Sequence, residues 1–365
     1  MDVLFEQKSF IFHVMNFYRP VLKIALIGYG NVAKAFVKLL HEKAAQLPFS
    51  PAISGVYTRT LGFRWLPDKA FLPEEILANL PGPRRIMGGA SKFIERIEAD
   101  VLVELTVLDK ESGEPAAEYI RTALNSGKHV VTANKGPIAY FFHELHAISE
   151  RQKLRLRFES SVADGLPIFS LFRYGLPASK IVKIRGVLNS TANYVLARMA
   201  KGVPESRAVG EAQASGIAEA NPEFDLDGWD GAMKAVILGN VLMKGALSPR
   251  DVVRDSFSSR ASELISRAAK IGGKPQQIVR LERVDNKIEA SVRLQATQPD
   301  DPLFPMSGFD NGLTLESDTM GRILLVEKAP SLRQTAFGVL SDLIDVYYRG
   351  VLPKRPPSLF DVEPG

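Results

Sequence analysis

The stretch at residues 21–33, VLKIALIGYGNVA, decides the fold. Its first part, VLKIALI, is a short apolar run of the kind that forms a buried strand. A glycine turn follows at once, and then Phe36, Val37, Leu39 and Leu40 recur at helical spacing. Strand, glycine turn and helix in direct succession suit a dinucleotide. Gly28 permits the tight turn, and Gly30 lets a pyrophosphate approach the backbone. Ala33 is small enough for helix and strand to pack closely, and the helix N-terminus at Asn31 and Val32 faces the phosphates. Without a ligand, the same stretch is simply a tight turn.

Working outward, strands are expected at residues 52–56, 100–107 and 128–134, with a helix at 114–125 that stops at Gly127. Residues 60–98 contain Pro67, Pro73, Pro81 and Pro83 and resist assignment. Alternating β and α with short links predicts a doubly wound parallel sheet, an α/β Rossmann nucleotide-binding domain. Ligands bind outside the carboxyl ends of such strands, which puts Thr106 and Lys135 where a nicotinamide would lie. The second strand ends in Tyr57-Thr58-Arg59, without the acid that usually holds the ribose hydroxyls of NAD. Arg59 can instead accept a 2′-phosphate, favouring NADP, or be a solvated loop arginine.

The second half predicts an α+β domain. A strand at 181–188 leads through Asn189 to a helix from Tyr194. Helices follow at 206–215 and 258–269, strand-like alternation at 278–297, a strand at 321–326 and an amphipathic helix at 331–348. The expected division is an extension at 1–18, a nucleotide domain at 19–155 and a substrate and dimerisation domain at 156–315. A return segment at 316–350 then completes the first domain, and a tail covers 351–365. Between them lies EANPEFDLDGWDGAMK, residues 219–234, with carboxylates at Glu219, Glu223, Asp225, Asp227 and Asp230. From Gly228 the pattern is helical, so Asp230 and Lys234 share one face beside a buried stripe. An acid and an ammonium at the edge of a core fit a catalytic pair or an ordinary helix-surface ion pair.

Composition narrows the choices. The 365 residues suffice for two domains, and no apolar run approaches the ~20 residues of a membrane span. The formal net charge of +5 is scattered. Arg151, Lys153, Arg155 and Arg157 alternate with Leu154, Leu156 and Phe158, which reads as a strand with one wet face rather than a nucleic-acid surface. The absence of cysteine excludes disulfides, thiolate nucleophiles and cysteine-ligated zinc. All five histidines precede residue 150, so the second half has no histidine base. Residues 1–18 lack the pattern of a signal peptide, and a cytoplasmic location is expected.

Taken together, the chain resembles homoserine dehydrogenase. The resemblance is carried by Gly28-Tyr29-Gly30-Asn31-Val32, Glu104-Leu105-Thr106, Thr132-Ala133-Asn134-Lys135-Gly136-Pro137, Glu159 with Val162 and Gly165-Leu166-Pro167, Asn189 with Thr191 and Asn193, and above all the frame from Glu211 to Lys234. Asp301-Pro302-Leu303 and Thr335-Ala336 with Asp342 continue it. It implies the short form of the enzyme, without an appended regulatory domain. The implied reaction is NAD(P)-dependent interconversion of L-homoserine and L-aspartate 4-semialdehyde, within threonine and methionine biosynthesis. By resemblance, Lys135 and Lys234 transfer the proton at the substrate oxygen and Asp230 orients the substrate. Glu219 binds the amino group, Asp225 lies nearby, and Ser190 and Thr191 line the pocket. Glu159, Val162, Asp164 and Leu166 match positions that hold a monovalent cation, Na+ or K+, largely through backbone oxygens. A homodimer is implied, with residues 278–297 supplying a shared sheet; neither nucleic acid nor membrane is an expected partner. A lysine whose pKa is lowered by burial would serve as base in the oxidising direction. The sequence departs from the family at residues 327–331, where Glu327-Lys328-Ala329-Pro330-Ser331 replaces a glycine-rich stretch, and Ser190 and Ala33 each replace a glycine. These departures leave two alternatives: a related NADP-dependent oxidoreductase acting on another amino-acid-like aldehyde or alcohol, and a catalytically weak NADP-binding paralogue.

Overall fold

The computed structural model describes residues 19–65, 70–80 and 89–352. The expected extension at 1–18 and the tail from 353 lie outside them.

The first sheet contains β1 (Val21–Ile27), β2 (Ser50–Thr58), β3 (Gly62–Trp65), β4 (Val101–Glu104), β5 (His129–Thr132) and β6 (Leu156–Arg157). Their order is β3-β2-β1-β4-β5-β6. Every neighbouring pair is parallel except β2 and β3. The chain therefore winds outward from β1 in both directions, and the crevice between β1 and β4 is the topological switch point. β4 is shorter than expected. Beyond it, the Glu104 carboxylate accepts from the backbone N–H of Thr106 (2.8 Å), which folds the chain back on itself. The unassigned region supplies β3 and two short helices, Pro73–Ala78 and Gly89–Arg96.

The basic run at 151–157 is not a strand with a wet face. Arg151 ends the helix Lys135–Arg151, Lys153 takes a left-handed turn (φ 57°), and only Leu156 and Arg157 join the sheet. Arg157 is buried against Asp345 of the last helix, so its charge points inward to a partner the local pattern does not reveal.

The second sheet is mixed. It comprises β7 (Ile181–Val187), β8 (Val253–Arg254), β9 (Lys274–Val284), β10 (Lys287–Thr297), β11 (Asn311–Ser317) and β12 (Gly321–Glu327). The order is β12-β11-β7-β9-β10-β8. Helices Ser190–Met199, Trp229–Leu242 and Phe257–Lys270 pack on β9, two of them also on β10. Residues 316–327, expected in the return segment, belong here, because β12 pairs along its length with β11. The return is made by the helix Leu332–Val346 and the turn that follows it, Tyr347–Val351. Ala336, Val339, Leu340, Leu343 and Val346 of the helix share a core with Leu22, Ile24, Phe36 and Leu40, and Tyr347 of the turn joins it. The helix after β7 starts at Ser190, not Tyr194, because the Asn189 side chain accepts from the N–H of Ala192 (2.8 Å) and caps it. Among the described residues no helix is long and apolar enough to cross a membrane.

Candidate active site

Asp230 sits in the first turn of the helix Trp229–Leu242 and is buried. The helix is entered through Gly228 at φ 75°, where an added Cβ would stand 2.9 Å from a Val292 methyl. Both conditions select glycine. One Asp230 oxygen accepts from Lys135, and the other lies 2.9 Å from the Lys234 ammonium. Lys135 belongs to the nucleotide-binding half, at the carboxyl end of β5. It starts a helix capped by Asn134, whose side chain accepts from Gly136 N–H (3.1 Å). Lys234 also donates to the Leu188 carbonyl at the end of β7. A third donor completes the cluster: the Asn189 amide bridges Asp230 (3.0 Å) and Asp225 (2.8 Å). The sequence matches Asn189 to the family, but only the fold shows it joining the two acids.

The charges act on one another strongly. Burial penalises the Asp230 carboxylate, but Lys135 and Lys234 overcome that penalty and hold its pKa well below the usual range. Burial likewise opposes the charge on Lys135, and Asp230 overcomes it, raising the lysine above its ordinary value. The expected lowering by burial is therefore absent at Lys135. Burial, then the Asp230 charge, pushes Asp225 up.

On the cofactor side, Gly28 has φ 86°, and an added Cβ would stand 2.4 Å from the Leu105 carbonyl oxygen. Gly30 caps the helix Asn31–Lys43, and a Cβ there would meet nothing within 4 Å. Open space thus lies before Asn31 and Val32, as a pyrophosphate requires. Thr106 donates through N–H and hydroxyl to Glu104, whose carboxyl is pushed up by burial. Arg59 is exposed in the turn between β2 and β3.

The remaining expected residues lie further out. Thr191 is buried and donates to the Ile217 carbonyl (3.1 Å), while Ser190 opens its helix. Glu219 is largely exposed and pairs with Lys110 (2.6 Å). The Glu159 carboxylate is occupied by the N–H groups of Phe169 (2.7 Å) and Ser170 (2.8 Å). Asp164, at φ 41°, accepts from Thr335 (2.7 Å) and Asn311 (3.2 Å). Glu327, the first departing residue, ties into the same turn, accepting from Gly165 N–H (3.1 Å) and Asn311 (3.2 Å). Among the described residues no group of three or more His, Cys, Asp or Glu side chains is arranged to hold a metal ion. A cation at Val162 and Leu166 would therefore depend on backbone oxygens. Beside the cluster opens a cavity of about 820 Å³, lined by Lys110, Tyr140, Phe224 and Trp229 among others, but not by Lys135, Asp230 or Lys234.

An open helix N-terminus behind the glycine turn after β1, and an acid held between two ammonium groups of which one opens the helix after β5 of the same sheet, fit a nicotinamide-nucleotide oxidoreductase of two domains. Comparisons specify the family. Residues 28–159 match the model of the homoserine dehydrogenase NAD-binding domain, and residues 167–344 that of homoserine dehydrogenase. The chain is 33% identical over 323 residues to the homoserine dehydrogenase of Sulfurisphaera tokodaii, covering 88% of this chain and 98% of that one. It is 34% identical over 339 residues to an NAD(+)-dependent homoserine dehydrogenase of Pseudomonas canavaninivorans, covering 89% and 96%. A solved putative homoserine dehydrogenase from Archaeoglobus fulgidus superposes with a TM-score of 0.78 at 30% identity, covering 89% of this chain and 99% of that one. A hyperthermophilic archaeal homoserine dehydrogenase in complex with NADPH gives 0.76 at 25% identity, covering 90% and 98%. The chain belongs to the homoserine dehydrogenase family.

Proposed function

We propose that this protein interconverts L-homoserine and L-aspartate 4-semialdehyde with a nicotinamide cofactor. The observation that carries the reading is the Lys135–Asp230–Lys234 cluster, drawn from both halves of the chain at the edge where a nicotinamide would lie. The cofactor supplies or accepts the hydride. Lys135 and Lys234 face the substrate oxygen, stabilise the charge that develops there and deliver the proton in reduction. In oxidation the lysine that gives the proton in reduction takes it back from the substrate hydroxyl as a neutral amine, while the other ammonium stabilises the developing alkoxide. Asp230, by raising the pKa of Lys135, makes the neutral form of that lysine available only toward alkaline pH. Asp230 positions both ammonium groups and the substrate. Glu219 takes the substrate amino group, with Asp225, Ser190 and Thr191 around it.

Gly28, Gly30, Asn31, Val32, Thr106 and Lys135 form the cofactor site, and Arg59 takes a 2′-phosphate, favouring NADP. The named relatives include one that is NAD(+)-dependent and one solved with NADPH, so the family accommodates both. Backbone oxygens at Glu159, Val162, Asp164 and Leu166 take Na+ or K+, which would raise the thermal midpoint over that in choline chloride. The protein acts as a cytoplasmic homodimer.

The deciding experiment is NADP reduction with L-homoserine, repeated with Lys135→Ala and Lys234→Ala. Each variant should lose ~10²–10⁴ in kcat while still binding NADPH. Wild-type binding of NADPH without turnover would instead favour the paralogue that only binds cofactor.

A further inference from the structure

A second charged pair joins the two halves of the chain: Lys110 Nζ lies 2.6 Å from Glu219 Oε2. The backbone on each side is fixed independently of that pair. Asp109 accepts from the N–H groups of Glu111 (3.1 Å) and Ser112 (2.7 Å) and from the Ser112 hydroxyl (2.8 Å). Tyr140 donates to the Lys110 carbonyl (3.1 Å). Opposite, the Gln213 amide donates to the carbonyls of Glu219 (3.2 Å) and Ala220 (3.1 Å). The charged ends remain wet, with side chains 31% and 68% exposed, so water competes for the pair and opening it costs little. Lys110 also has a second seat. Its ammonium lies 4.7 Å from the centre of the Phe224 ring, on the wall of the neighbouring cavity.

We propose that Lys110 and Glu219 are the recognition pair for the head group of an α-amino acid. The substrate ammonium takes Glu219, its carboxylate takes Lys110, and the pair opens around the zwitterion. This rests on the homoserine reading and adds to it a specificity residue from the nucleotide-binding half. A zwitterion is the complement of an opened ion pair, because each of its charges replaces the partner that a side chain loses. A ligand with the ammonium alone satisfies Glu219 and leaves Lys110 without an anion.

The test compares L-homoserine with 3-amino-1-propanol, which lacks only the carboxylate. In Lys110→Met, KM for homoserine should rise about tenfold with kcat within about twofold of wild type. The inhibition constant of 3-amino-1-propanol should stay level, and Lys110→Arg should restore KM. NADPH fluorescence checks that the variant is folded, and Lys110→Gln repeats the comparison if Lys110→Met does not bind it. An unchanged KM, or a rise in KM matched by the inhibition constant, would overturn the proposal, since a purely structural tie affects both ligands equally. If 3-amino-1-propanol inhibits neither protein, the rise in KM and its recovery in Lys110→Arg decide the matter. A wild type that does not oxidise homoserine overturns the parent reading instead.

Discussion

Asp230 is the residue on which the two lysines depend, and replacing it separates charge from shape. Asp230→Asn keeps the size of the side chain but removes the charge that raises the pKa of Lys135. Burial then acts on Lys135 with less opposition, and its pKa falls. Aldehyde reduction needs the protonated amine, so the alkaline limb of its rate profile should move to lower pH in the variant. An unmoved limb would show that Lys135 does not set it. The role proposed for Arg59 in cofactor choice is tested at the same scale: Arg59→Ala should weaken NADPH by about tenfold and NADH little. Equal loss for both would remove Arg59 from that role. The places of Lys135, Asp230 and Lys234 were legible in the sequence, through a strand end and an i, i+4 spacing. That spacing fits an ordinary ion pair as well, and their roles rest on the resemblance. The bridging Asn189 was not read as part of the site, because the acids it joins lie 36 and 41 residues away. The Lys110–Glu219 pair spans 109 residues and leaves no local pattern.

Elements were legible where their periodicity was clean and both ends were marked. β1 with its helix, the helix from Gly228 and the final helix all meet that condition. β11 was missed because NGLTLES offers little contrast between faces, being buried along almost all of its length. The basic run at 151–157 was misread because alternation alone cannot show that Arg157 has a buried acid opposite. That pair pins the final helix to β6, and both side chains are nearly enclosed, at 11% and 15% exposure. Arg157→Leu leaves Asp345 with the Tyr174 hydroxyl, which donates to it, and with Arg173 and Arg349 at 3.9 Å and 3.3 Å. A loss of about 3 kcal/mol is expected from an acid stripped of its principal partner. The urea midpoint should fall accordingly, while KM for homoserine stays near wild type. A midpoint within error of wild type would mean that Tyr174, Arg173 and Arg349 suffice.

At the scale of the whole molecule, the second sheet decides how two copies could meet. Strands β9 and β10 were expected to offer a shared sheet, but they pair with each other, and β7 and β8 flank them. Of the sheet's two edge strands, β12 and β8, the longer is β12, where Leu324 and Val326 are 44% and 36% exposed and Met320 beside them is 64% exposed. The polar side chain of β12 nearest its start, Arg322, is already paired within the chain with Glu316 of β11 (2.7 Å). An unpaired edge carrying apolar side chains invites a partner strand. In a two-fold dimer each β12 would face its own copy. The substitution Leu324→Glu with Val326→Glu would then place like charges across the axis twice over. Sedimentation at micromolar concentration should show a dimer for the wild type and a monomer for this variant, with the far-ultraviolet spectrum unchanged. A monomeric wild type would end the homodimer reading. A variant that stays dimeric would move the interface away from β12, and the short strand β8 at the opposite edge would be the next place to test.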